Sequence, residues 1–163
     1  MNPITRTCFA ILALLLSGCA ALRQSPEEKA AARLKLEQCL EKQSYRIDID
    51  YMMPRRGSGK SVSGTYSLSV DGSAIQSNLP YFGVAYNVPY GGGKVLTFED
   101  SIDQYSDSGW KKDRRTITLS TNNDEDIIIY TITVFEDGSA DIFVHPRNRE
   151  DISYRGKMNL DSN

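Results

Sequence analysis

The stretch "IIIYTITVFEDGSADIFVH", residues 127–145, decides the fold. Its first half alternates strictly, with Ile128, Tyr130, Ile132 and Val134 on one side of an extended chain. Period-two alternation puts one face in a core and the other in water, the pattern of a half-buried strand. Asp137-Gly138 then interrupts the run, and a second extended segment follows. An Asp-Gly pair between two such runs marks a hairpin, because glycine takes the positive φ that tight strand connections need.

The same logic recurs on both sides of this hairpin. "YRIDIDYMM", from residue 45, places Tyr45, Ile47, Ile49 and Tyr51 on one face and Arg46, Asp48 and Asp50 on the other. "GTYSLSV" sends Tyr66, Leu68 and Val70 inward, and Asp71-Gly72 announces another type I′ turn before "SAIQSN". "KVLTFE" reads as a strand, and residues 100–109 end in a turn at Ser108-Gly109. "RRTITLST" points Ile117 and Leu119 inward, and "NNDED" turns the chain. "ISYRGKMNL" closes the series, with Gly156 in mid-run signalling a bulge or a close backbone approach. About eight strands in sequential hairpins predict a mainly β domain over 45–163, an antiparallel β-sandwich or a partly closed barrel.

One helix precedes the strands, over 25–44. Ser25 suits the N-cap, Pro26 the first helical position and Glu28 the capping-box position. Ala32, Leu36, Cys39 and Leu40 form its apolar stripe, which predicts packing on the sheet. With 163 residues and no linker composition, the chain reads as one folded domain behind an N-terminal leader.

That leader carries the most specific signal. "MNPITRTCFAILALLLSGCAALRQ" pairs Arg6 with an apolar run from Cys8 to Leu16, about half of what a bilayer crossing needs. Leu16-Ser17-Gly18-Cys19 resembles the bacterial lipobox, in which the cysteine thiol receives a diacylglyceryl group before cleavage. Residues 1–18 are then a lipoprotein signal peptide, Cys19 the lipidation site and 19–24 a short tether. The five residues after Cys19 reach at most about 18 Å, so the tether holds the body near the membrane. Ala20 after the cysteine implies the outer membrane by likeness to the enterobacterial sorting rule. The expected location is the bacterial cell envelope, on the periplasmic face. With Cys8 removed and Cys19 acylated, Cys39 is left as a small apolar residue of the helix, or as one half of an intermolecular bridge.

Several functions are disfavoured. A net charge of −2 argues against a nucleic-acid binder. One histidine, His145, and one free cysteine supply no zinc or copper cluster, and Asp48/Asp50 and Asp124–Asp126 lack calcium-loop spacing. Asp141 lies about 13 Å from His145 along a strand, leaving Asp151, Ser153 or Tyr154 to approach only through pairing. No catalytic residues, metal or cofactor are expected. The Gly91–Gly93 triplet lacks the Lys-Ser/Thr pair of a phosphate loop and reads as a hinge. "WKKDRR", residues 110–115, and Arg55-Arg56 with Lys60 read as solvated flanks, or as groups facing anionic lipid.

"LPYFGVAYNVPYGGG", residues 79–93, fits neither strand nor helix. Two readings stand. As a lid, Leu79, Phe82 and Val84 plug one end of the β body, with Gly83 giving backbone freedom. As a groove, its tyrosines contact a ligand or partner, and the candidate binding residues are Tyr81, Phe82, Tyr86, Tyr90 and Trp110. This segment, with the lipobox and "RNREDISYRGKM", resembles the Bacteroidetes-type lipoproteins of domain-of-unknown-function family 4251, from roughly Tyr45 onward. The resemblance implies a secreted, lipid-anchored bacterial protein and brings no catalytic residues. The expected function is therefore a noncatalytic binding or interaction module facing an envelope protein or glycan. The alternative is a small-ligand carrier for an apolar or glycan-like molecule inside a β-barrel cavity.

Overall fold

The computed structural model describes residues 25–86, 96–123 and 126–161. The chain divides into two compact units, residues 1–31 and 32–163. In the first, the described part is the start of helix α1 (Pro26–Glu41). Its capping box forms: the Glu28 N–H donates to Ser25 Oγ at 3.1 Å, and the Ser25 N–H to Glu28 Oε2 at 2.7 Å.

The second unit is one antiparallel sheet with the end of α1. In chain order its strands are β1 (Ser44–Pro54), β2 (Lys60–Ser61), β3 (Ser67–Asp71), β4 (Ala74–Asn78) and β5 (Thr97–Ser101). They continue with β6 (Gln104–Lys111), β7 (Arg114–Asn122), β8 (Ile127–Phe135), β9 (Ser139–Pro146) and β10 (Ile152–Asn159). Across the sheet the order is β5-β4-β3-β1-β10-β9-β8-β7-β6, with β2 paired to the far half of β1. The antiparallel, mainly β fold expected from the alternation is the one observed, as a half-barrel and not as two stacked sheets. Strands β5 and β6 lie on opposite edges yet are joined by Ile102 and Asp103 alone. The Ile102 N–H bonds the Ser73 carbonyl at 2.7 Å, and the Asp103 N–H bonds the Ser120 carbonyl of β7 at 2.9 Å. Two successive amides thus fasten the two edges at one corner.

The core lies inside the curl. Ile47, Leu68, Ile117, Tyr130, Ile132, Val134 and Tyr154 are fully buried, and Leu36 and Leu40 of α1 pack with them. Burying each such side chain contributes about 1.5–3 kcal/mol. One polar relay crosses this core: Tyr130 OH donates to Ser77 Oγ (3.3 Å), which donates to the Leu96 carbonyl (2.8 Å). Burial raises the Tyr130 pKa, so the hydroxyl stays protonated and available as donor.

Four sequence expectations are corrected. Tyr51 does not continue the inward row of β1, because a bulge between Ile49 and Tyr51 inserts Asp50 and brings Met52 inward. The first Asp-Gly turn has Gly72-Ser73 at its centre, with Asp71 paired to Ala74 and only Gly72 at positive φ. That is not the type I′ turn expected, which needs positive φ at both centres. Ser108-Gly109 is a bulge within β6 and not a turn; the hairpin closes at Lys112-Asp113. The eight expected strands become ten, because 100–109 divides between β5 and β6 and because β2 is too short to leave a periodic signal.

Gly156 fulfils the expectation of a close backbone approach. It faces Ile49 beside the β1 bulge, and a Cβ there would run into the Asp48 carbonyl. Gly156→Ala is expected to lower the unfolding free energy by about 1–3 kcal/mol, the usual cost of overpacking, with β1 and β10 forced apart. Urea denaturation measures it, and an unchanged midpoint would show that the two strands are not in contact there.

Candidate functional site

The segment after β4 is built onto the β9–β10 connection. Leu79 is buried, and its N–H reaches the Leu96 carbonyl at 3.0 Å. Tyr154 OH, its pKa raised by burial, donates to the Pro80 carbonyl at 2.8 Å. Tyr81 OH donates to the Glu150 carbonyl at 3.0 Å, and burial raises its pKa too. Gly83 has no positive φ; its role is space and not backbone freedom, since a Cβ would meet Tyr81 Oη at 2.5 Å.

Glu150 is the anchor. It is 2% exposed, and its N–H donates to the Val84 carbonyl at 3.0 Å while Oε2 accepts the Val84 N–H at 3.2 Å. Its Oε1 lies 2.9 Å from Arg56 Nε, so the buried charge is paired. The Tyr86 N–H bonds the Asn148 carbonyl at 2.8 Å, and Ala85 bridges Arg149 in antiparallel fashion. Residues 84–86 are therefore a short strand laid against 148–150.

The connection that holds this strand is itself fixed. Asp126, in the turn expected to be solvated, is buried and accepts the N–H groups of Arg147 (3.0 Å) and Asn148 (3.1 Å). Asp124 and Glu125 lie outside the described residues. Asp151 meets His145 Nδ1 at 2.5 Å and Arg55 at 3.7 Å. Cross-strand pairing thus gives His145 a carboxylate, as the sequence allowed, but the described structure pairs its ring with no hydroxyl or thiol. A nucleophile–base arrangement needs that third group.

On this rigid base stand Phe82, Val84 and Tyr86, 56%, 49% and 63% exposed. The lid reading, in which Phe82 and Val84 plug the core, is overturned: only Leu79 is buried. Lys60 Nζ lies over the Phe82 ring at 5.3 Å. Of the five candidate binding residues, the fold brings Tyr81, Phe82 and Tyr86 together, with Tyr81 as a support and not a contact. Tyr90 and the Gly91–Gly93 hinge lie outside the described residues. Sequence reasoning missed Glu150, Asp126 and Asn148, which act at long range through a buried carboxylate and backbone carbonyls.

Trp110 does not join this patch. It is partly buried opposite Arg115, with the Arg33 guanidinium 5.9 Å from its ring, and Arg33 also pairs with Glu136 at 2.8 Å. Beside it Arg115 grips Asp107 through Nε and Nη2, both groups well shielded. The reading of "WKKDRR" as a solvated flank therefore fails at Arg115. Burial works to raise the Asp107 pKa, but hydrogen bonds from Arg115 and the Gly109 N–H outweigh it and hold the carboxyl below its ordinary value. Burial, then the neighbouring Tyr105, raises the pKa of Tyr45.

A groove of about 780 Å³ runs over β1 and β3–β5, but Gln76 bonds Glu99 and Asn78 bonds the Thr65 carbonyl, so its polar groups satisfy one another. No cluster of metal-binding side chains occurs among the described residues.

The comparisons add a family and a fold. The family model described as "Domain of unknown function (DUF4251)" matches residues 27–158, taking in the helix as well as the sheet. A crystal structure of a DUF4251 family protein from Bacteroides eggerthii DSM 20697 is similar, with a TM-score of 0.57 and 19% identity. The match covers 80% of this chain and 90% of that one, and at this identity it speaks for the fold. No curated protein matches the chain.

The Asp107–Arg115 pair makes a pH-dependent test. Arg115→Gln is expected to cost roughly 2 kcal/mol at neutral pH, less than a fully buried pair because both groups keep some water. A carboxyl with a depressed folded pKa stabilises above its unfolded value and loses that contribution as pH falls through the folded one. The stability gap between wild type and variant should therefore shrink in acid, below about pH 4. Thermal melts across pH measure this, and a constant gap would remove the pair from the account.

Proposed function

This chain belongs to the DUF4251 family, and on that premise we propose that it is a noncatalytic interaction module of the bacterial cell envelope, held there by lipid on Cys19. One observation carries the reading: three large apolar side chains, Phe82, Val84 and Tyr86, stand exposed in a row on a backbone locked by Glu150, Asn148 and Tyr81. Exposed apolar rows with a charged rim mark interaction sites, and aromatic residues dominate the energetics of such contacts. A mobile loop would lose ordering entropy on binding, whereas this one is already ordered.

The anchor follows from Leu16-Ser17-Gly18-Cys19 and the short tether, and the outer-membrane, periplasmic placement from Ala20. The carrier alternative finds less support, since the inside of the half-barrel is filled by Tyr130, Tyr154 and the isoleucines packed around them.

The test uses the full chain in its native envelope. Cys19→Ser should move the protein from the membrane to the soluble fraction. A photoreactive residue at position 82 should yield discrete crosslinked adducts, and one at the exposed control position Lys157 should not. Phe82→Ser with Tyr86→Ser should abolish adducts from a photoreactive residue at Val84 while changing stability by no more than about 0.5 kcal/mol. Absence of any adduct at 82 would end the interaction reading.

A further inference from the structure

The strand fragment 84–86 has two sides, and only one is used. In an antiparallel ribbon the N–H and C=O groups of alternate residues point to the same side. The Val84 carbonyl accepts the Glu150 N–H and the Tyr86 N–H donates to the Asn148 carbonyl, while the Val84 N–H donates to Glu150 Oε2. Ala85, between them, turns its own pair the other way, and among the described residues nothing bonds to either group. The short strand is therefore an edge, with a donor and an acceptor presented side by side. Val84 and Tyr86, at alternate positions, line the face beside that edge, and the exposed Phe82 follows beyond the bend at Gly83.

We propose that this edge takes up an extended peptide segment of a partner protein as an additional antiparallel strand. The inference rests on the interaction reading above and gives its partner a chemistry. Main-chain bonds to Ala85 would supply register, and the face beside it would supply side-chain selectivity, as in strand addition generally. Residues of the peptide that flank the one opposite Ala85 fall beside Tyr86 and Val84, and are apolar. Beyond the bend at Gly83 stands Phe82, with the Lys60 ammonium over its ring. An acidic residue fits there. The peptide, read in its own direction, is apolar-x-apolar-x-acidic. A lipid surface or a glycan could cover Phe82 and Tyr86, but neither offers the paired carbonyl and amide that Ala85 presents.

The probe is a capped synthetic peptide, Val-Thr-Val-Thr-Glu between Gly-Lys flanks, added to the full chain and followed by amide hydrogen exchange and fluorescence anisotropy. Saturating peptide should slow exchange of the Ala85 amide by about tenfold or more, the effect of one added main-chain bond. Replacing the Thr between the two valines by Pro should weaken binding about tenfold, since it removes the donor to Ala85. Replacing Glu by Lys should weaken it about threefold, and Lys60→Glu in the protein should restore that loss. Binding that shifts Phe82 and Tyr86 but leaves Ala85 exchange untouched would overturn strand addition and leave side-chain docking standing. No binding by the peptide at millimolar concentration, with crosslinks at 82 intact in cells, would overturn strand addition and leave the interaction reading in place. Equal binding of anionic phosphatidylglycerol vesicles, abolished by Phe82→Ser, would overturn it in favour of a lipid surface.

Discussion

The fold depends on a closure made by two residues. Strands β5 and β6 are continuous but for Ile102 and Asp103, yet they occupy opposite edges of the sheet. That is possible only if the sheet curls until its edges meet, and the amides of Ile102 and Asp103 secure the meeting, one to each side. Curling gives the sheet an inside, and the alternation of every long strand then decides which residues fill it. The bulges at Asp50 and Gly109 belong to the same constraint, since a bulge increases local twist and bends its strand.

Closure leaves the connections at one end of the barrel gathered together, and there the protein places its least expected chemistry. A buried carboxylate is costly unless every charge and lone pair is answered. The Glu150 charge is balanced by the Arg56 guanidinium and one oxygen is bonded by the Val84 N–H, while its own backbone groups are taken by Val84 and Tyr81. One residue thus fixes the path of the segment by three hydrogen bonds. The result is a rigid apolar ledge at a place where loops are usually polar and mobile.

Much of the architecture was readable from residue order, because period-two alternation depends only on neighbours. The cores of β7, β8 and β9, the capping box at Ser25 and the close approach at Gly156 all have local causes. The misreadings share a different one. For Tyr51 the period is extrapolated across a position where a bulge resets it, and Ser108-Gly109 has the composition of a turn but serves as a bulge. The lid reading of Phe82 and Val84 rests on apolarity alone, whereas burial is decided by what the segment packs against. Arg115 looked solvated within a basic run because Asp107, eight positions earlier, is brought to it only by the β6–β7 pairing. The aromatic segment was legible as neither strand nor helix, and the groups that support it were not legible at all. Glu150, Asn148 and Asp126 contribute backbone and buried carboxylate contacts across long separations, which no spacing rule encodes. Trp110 was grouped with the tyrosines by residue type, and the fold separates them.

The division of labour along residues 81–86 has an evolutionary consequence. Tyr81 and Gly83 hold the frame, while Phe82, Val84 and Tyr86 project from it and are not needed for packing. A substitution at 82, 84 or 86 would change the exposed face alone, with the frame beneath it inherited intact.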